Sequence, residues 1–310
     1  MKPILIYLLF LFSSLSSFQC TNGEEPAPSF QEYRFYKTIR VDGRERTYLL
    51  NLPPDYYTAS GDFALIIGLH GTGGNAYQFE DSYAFSKMAN EMHFIAVYPE
   101  GVRSTGRLGV RTWNAGGCCE YASDNNIDDV KFVRELIRFL EANYNVNPKQ
   151  VYAVGMSNGG MMAYRLAAEL SDQIAAIAVV SGTMVTTQPF NPSRPVPVLH
   201  MHSVNDDIIP YMGGTGIGGY YFPPVDSGLN VCASVYECTT GPQVLVDDDN
   251  YKLTTWSNCE SDVTIEYYLT KDGGHAWPGG KKPRAQADEP SHVIDANDLI
   301  WGFFQNYKLP

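Results

Sequence analysis

Positive charge is scarce in this chain of 310 residues: 22 lysines and arginines stand against 34 aspartates and glutamates, for a net charge of −12. Nucleic acid is held mainly by lysine and arginine on its phosphates, so this balance argues against such a partner. Charge of either sign is modest at 18% of residues, while 44% are apolar. Those proportions exclude a disordered chain and supply a full core. No C-x-x-C pair occurs, which removes the usual zinc pattern. There is no internal repeat, and the apolar run "ILIYLLFLF" is well short of the roughly 20 residues a membrane span needs.

That run follows Lys2 and precedes the small-residue stretch "SSLSS", the layout of a secretory signal. The expected organisation is a signal peptide over 1–19, a polar tether over 20–33 and one folded domain over 34–310. Cys20 is placed as in a bacterial lipoprotein, although Phe18 and Gln19 stand where small residues are usual. Lipidation of Cys20, the sole membrane association expected, and simple cleavage with release are both open. The mature chain is expected to be extracellular or periplasmic. Cys118, Cys119, Cys232, Cys238 and Cys259 then read as disulfide partners with one left over. Cys118 and Cys119 are expected to reach Cys259 and Cys238, leaving Cys232 odd.

After the tether, "YRFYKTIRVDGRERTYLLNLP" reads as a hairpin about Asp42-Gly43. Continuous apolar runs follow in "FALIIGLHG", "FIAVYPEG", "QVYAVGMS", "IAAIAVVSG" and "VPVLHMHS", as in strands buried on both faces. Helical spacing links Phe85, Met88, Ala89 and Met92, then Val133, Leu136, Ile137 and Leu140. It recurs over 158–170 and again through Ile300, Phe303, Phe304 and Tyr307 after the strand "VTIEYYLT". Alternating strand and helix predict one α/β domain with a mainly parallel central sheet and helices on both faces. Residues 212–250, rich in glycine, tyrosine and proline and ending in "VDDDN", break the alternation and read as a long irregular excursion.

Gly155-Met156-Ser157-Asn158-Gly159 interrupts an apolar strand and opens a helix at once. A glycine pair in a first helical turn costs about 1 kcal/mol per position relative to alanine, so something else requires the missing side chains. Gly-x-Ser-x-Gly at a strand-to-helix junction is the nucleophile elbow of the α/β hydrolases, with Ser157 as nucleophile. A serine needs a base and the base an orienting carboxylate, in the chain order Ser, Asp or Glu, His. His275, in the glycine-flanked "KDGGHAWPGG", is the expected base. His200 and His202 alternate within a strand and read as structural, and His292 as a surface or cap residue. Asp206 and Asp207 follow a strand end in "HSVNDDIIPY" and offer the acid. The glycine-rich turn "LHGTGG" suits an oxyanion hole built from the N–H groups of Thr72 and Asn158, with His70 supporting the loop.

The segments "LHGTGG", "YPEG", "TWNAGGCCEYA", "IDDVKFV", "GMSNGGMMAYRLA", "HSVNDDIIPY" and "GGHAWPGG" occur in this order. Together they resemble the secreted esterase family of polyhydroxybutyrate depolymerases, feruloyl esterases and acetylxylan esterases, carbohydrate esterase family 1 and its relatives. The resemblance runs from about residue 35 to the end. It implies an α/β-hydrolase fold, Ser157 and His275 in the roles above, and Asp206 as the acid in place of Asp207. Ser203 and Glu120 stand where the family has glycine, and 212–250 is unusual; these departures bear on substrate, not on reaction type.

The expected function is a serine carboxylesterase without metal or organic cofactor, acting on feruloyl or acetyl esters of plant-type polysaccharide. Trp113, Tyr121, Tyr220, Tyr221 and Trp277 offer flat faces for a sugar or cinnamoyl ring. Depolymerisation of a polyhydroxybutyrate-type polyester is the alternative, disfavoured because no polymer-binding segment follows the catalytic domain. A polysaccharide-binding surface lipoprotein without catalysis is the alternative from another class, opposed by the intact serine, aspartate and histidine. The 212–250 excursion is expected to form one wall of the pocket.

Overall fold

Alternation with a period of two sorts the central strands' side chains onto two faces. In β3 (Phe63–Leu69), Leu65, Ile67 and Leu69 enter one core and Ile66 the other. In β4 (Ile95–Pro99), Ile95 and Val97 oppose Ala96 and Tyr98 in the same way. The computed structural model describes residues 31–310, so the expected signal peptide, Cys20 and most of the tether lie outside the described residues. β1 (Arg34–Val41) and β2 (Arg44–Asn51) form the expected hairpin. Its central residues Asp42 and Gly43 both have positive φ, 50° and 74°, which suits the right-handed twist of the strands.

The remaining strands are β5 (Val102–Arg103), β6 (Arg111–Thr112), β7 (Val146–Met156), β8 (Ala176–Val180), β9 (Val198–Ser203), β10 (Gly214–Thr215), β11 (Tyr221–Phe222), β12 (Thr240–Asp247), β13 (Tyr251–Ser257) and β14 (Ile265–Thr270). Ten of the fourteen described strands make one sheet in the order β1-β2-β4-β3-β7-β8-β9-β14-β13-β12. The block from β4 through β14 is parallel, and the antiparallel pairs lie at the two ends. On one face pack α4 (Asp129–Asn143), α5 (Asn158–Glu169) and α6 (Val225–Val235); on the other lie α1 (Ala76–Ser82), α2 (Phe85–Glu91) and α7 (Ala296–Phe304). The short α3 (Glu120–Asp124) sits beside β5 and β6. Asp128 caps α4 by accepting from the Lys131 N–H at 2.9 Å. No helix among the described residues is long and apolar enough to cross a membrane.

The 212–250 stretch is not one irregular excursion. It is irregular only through β10 and β11, then forms α6, which buries Val225, Leu229 and Cys232, and the edge strand β12. β12 leaves no strand signature in the sequence because it is almost wholly exposed and broken by two register shifts against β13, so it shows no apolar alternation. The cysteine pairing also differs from expectation. Cys238 bonds Cys259, and Cys118 bonds its neighbour Cys119. Thr240 faces Ser257 in the β12–β13 ladder, so Cys238 and Cys259 fall opposite each other at its open end and have no need of a distant partner. Among the described residues Cys232 is the unpaired cysteine, buried on the inner face of α6.

Candidate active site

At the end of β7 the chain turns through Ser157, whose φ of 57° and ψ of −123° lie outside the common regions for a side-chain-bearing residue. Such a backbone costs about 1–3 kcal/mol and persists only where its surroundings enforce it. Here they do. A Cβ on Gly155 would fall on the backbone of Gly159, and one on Gly159 on the carbonyl of Leu69. A Cβ on Gly160 would meet Val179 at 2.9 Å. The glycines therefore let β7, α5 and the end of β3 converge closely enough to lift Ser157 out of the sheet. The first helical bond of α5 runs from the Met161 N–H to the Ser157 carbonyl at 2.9 Å. The N–H groups of Asn158, Gly159 and Gly160 precede it and have no acceptor within the helix.

Asp206 is buried at the end of β9. Its Oδ1 accepts from the N–H groups of Ile208 (3.0 Å) and Ile209 (2.8 Å), and its Oδ2 lies 2.8 Å from His275 Nδ1. Burial alone would push this carboxyl up, but hydrogen bonds from His202 and His275 outweigh it and hold the group well below the usual carboxylate range. An ionised Asp206 fixes the proton of His275 on Nδ1, which leaves Nε2 free to accept one. Asp207, the neighbouring carboxylate, is exposed. The loop after β14 presents His275 through Gly273, at a φ of 70°, while Asp288 accepts from the His275 N–H at 2.7 Å.

Ser157 and His275 open on one cavity of about 350 Å³, whose lining includes Thr72, Met156, Tyr83, Ile208 and Trp277. Thr72 sits in a tight turn closed by the Gly74 N–H on the Gly71 carbonyl at 3.0 Å. Gly71 comes so near Ser157 that a Cβ would lie 3.2 Å from the serine Cβ. Beneath the turn His70 is fully buried, its Nδ1 2.7 Å from the Gly71 carbonyl and its Nε2 accepting from the Gly101 N–H at 3.0 Å. Burial pushes its imidazole down to about 4, so it is neutral, as a loop support requires.

Several expected contact residues lie elsewhere. Trp113 is 0% exposed and cannot offer a face to a ligand. Its indole donates to the His70 carbonyl at 2.9 Å, and the Asn158 side chain clamps its backbone at both N (2.7 Å) and O (3.0 Å). Trp113 thus ties the Thr72 turn to the first residue of α5. Trp277 does line the cavity, with one face stacked on Tyr83 at 4.4 Å. Tyr220 and Tyr221 do not, and neither does any other residue of 212–250. The Tyr220 hydroxyl accepts from the Glu120 N–H at 3.3 Å, and Tyr221 points into solvent, 70% exposed. Gly216 lies against the Ile208 carbonyl, so the excursion packs on the backbone of a lining residue without itself lining the cavity. The opposite wall comes from Pro283, Arg284, Gln286, Ala287 and Asp288, a polar stretch with no periodicity to reveal it in sequence.

The model of the Esterase family ("Putative esterase") matches residues 40–213. Feruloyl esterase B of Piromyces equi is 29% identical over 265 residues, covering 83% of this chain and 44% of that protein. The bifunctional acetylxylan esterase/xylanase XynS20E of Neocallimastix patriciarum is 28% identical over 212 residues, 68% of this chain and 28% of that protein. The chain thus spans less than half the length of these two relatives. Among solved structures, the acetyl xylan esterase of Aspergillus awamori superposes with a TM-score of 0.56 at 14% identity, covering 84% of this chain and 94% of that one. That likeness and the sheet order give the α/β-hydrolase fold. With one family model covering more than half of the sequence, the chain belongs to the Esterase family.

Proposed function

We propose that this chain is a serine carboxylesterase working through an acyl-enzyme. The observation that carries the reading is a serine held at positive φ on a cavity it shares with His275, whose Nδ1 is bonded to a buried, ionised Asp206. Ser157 Oγ attacks the ester carbonyl as its proton passes to His275 Nε2. The oxyanion forms at the N–H groups of Thr72 and Asn158, a kind of contact worth roughly 3–4 kcal/mol per donor. Collapse breaks the ester C–O bond, and the departing alcohol takes the proton from His275. Water, deprotonated by the same Nε2, then attacks the acyl-enzyme and returns the serine.

Feruloyl or acetyl esters on polysaccharide are the substrate class we favour, by analogy with what the Piromyces and Neocallimastix relatives are named for. The cavity is large enough for a cinnamoyl group and has apolar wall in Met156, Ile208 and Trp277. Export through the 1–19 signal, with residues 34–310 as the catalytic domain, fits the Cys238–Cys259 disulfide, since such bonds persist in oxidising compartments. Hydrolysis of p-nitrophenyl acetate, followed by a panel of methyl ferulate, acetylated xylan and hydroxybutyrate oligomers, tests the reading. No hydrolysis of any of them returns the chain to a binding role, and a preference for the oligomers makes it a polyester depolymerase.

A further inference from the structure

β9 places His200 and His202 two residues apart, hence on the same face, with both rings buried and stacked 5.5 Å apart at 3°. His202 Nε2 lies 2.8 Å from the Ile209 carbonyl and 3.2 Å from Asp206 Oδ2. His202 Nδ1 is 3.3 Å from His200 Nε2, and His200 Nδ1 is 2.7 Å from the Tyr164 hydroxyl. A backbone carbonyl can only accept, so the His202 proton sits on Nε2. With that single proton on His202, Nδ1 accepts from His200 Nε2–H, and His200 Nδ1 in turn from the Tyr164 O–H. One carbonyl thereby sets the direction of the buried chain. Burial, with His202 alongside, lowers His200 well below the ordinary imidazole range, which agrees with this assignment.

We propose that His202 is a positioning residue for Asp206, acting on it from two sides. It holds the Ile209 carbonyl, and the N–H of the same Ile209 holds Asp206 Oδ1 at 2.8 Å. Its own N–H also turns the positive end of a bond dipole toward Oδ2, the oxygen that faces His275. The carboxylate is prevented from rotating, and part of the Oδ2 charge is drawn away from the imidazole. The titratable groups that face Asp206 are His202 from β9 and His275 from the loop after β14; Asp288 reaches only the His275 backbone, and Asp207 turns outward. Loss of the His202 N–H leaves more negative charge for the His275 imidazolium, so the acid limb of the kcat/KM profile moves to higher pH.

This role rests on the reading of Asp206 as the catalytic acid, and the test separates the two. The whole chain is assayed on p-nitrophenyl acetate across pH as wild type, His202→Leu, His202→Gln and Asp206→Asn. His202→Leu is expected to lower kcat on the order of tenfold with KM unchanged and to raise the acid limb. His202→Gln, whose amide N–H can reach the Ile209 carbonyl, is expected to restore most of kcat and the limb. If His202→Leu does not fold, His202→Asn replaces it, polar but too short for that bond. An unchanged or lowered limb with unchanged kcat, or a Gln variant no better than the other, overturns the positioning role. Full activity in Asp206→Asn overturns the assignment of the acid itself.

Discussion

Lowering the pH from 7 to 5 removes stability through the buried His70. Its folded value of about 4 lies below the ordinary 6.5 because burial penalises the charged ring. A group with a depressed folded value contributes in full above its unfolded value and loses that contribution as pH falls toward the folded one. The window is therefore pH 6.5 to 4, and the full span of 2.5 units corresponds to about 3 kcal/mol. At pH 5 the unfolded chain is mostly protonated at this site and the folded one is not, so about 2 kcal/mol has gone. His200, lowered by its own burial, adds a loss of the same sign. Replacing His70 with glutamine removes one titrating group and keeps an acceptor for the Gly101 N–H. Whatever His70→Gln costs at pH 7, its further loss between pH 7 and 5, read by urea unfolding with far-UV circular dichroism, is expected to be about 2 kcal/mol smaller than wild type's. Equal losses in the two proteins would refute a buried neutral His70.

Ser157→Ala, His275→Ala and Asp206→Asn are each expected to cut p-nitrophenyl acetate turnover by about 10⁴-fold or more with circular dichroism unchanged, because such residues act as a unit; Asp207→Asn retains wild-type turnover. Reduction of Cys238–Cys259, which closes a loop of sequence separation 21, is expected to cost about 3 kcal/mol in urea unfolding. Non-reducing peptide mapping should recover these two cysteines in one linked pair and Cys232 as a free thiol. Tyr220→Ala combined with Tyr221→Ala is expected to leave the ratio of methyl ferulate to p-nitrophenyl acetate hydrolysis unchanged, since neither ring reaches the cavity; a changed ratio would place the excursion in the substrate path.

Much of the architecture was legible because burial on both faces writes itself as unbroken apolar runs, as in Phe63–Leu69, and because Asp42-Gly43 carries the chemistry of a tight hairpin. The turn at Ser157 was legible for a related reason: glycines in a first helical turn make no sense for the helix and complete sense for a crowded junction. What stayed hidden depends on contacts between distant segments. Trp113 looks like a ligand platform until its indole is seen bonded to His70, 43 positions away. His202 looks like an ordinary core histidine until Ile209 and Asp206 are found around it. The Cys238–Cys259 bond follows from the β12–β13 ladder, which the exposed edge strand conceals.

The open edge of the sheet has a consequence for life at high concentration. β12 ends the ten-stranded sheet, among the described residues no strand pairs with its outer side, and Val244 and Leu245 are about half exposed there. Left plain, such an edge is a template for association. Pro242 supplies no N–H, two register shifts against β13 disturb the ladder, and Asp247, Asp248 and Asp249 follow in a row. A second copy offering its own β12 would meet a missing donor at Pro242 and a disturbed ladder. The same irregularities that conceal β12 in the sequence thus make it a poor template for a neighbouring strand.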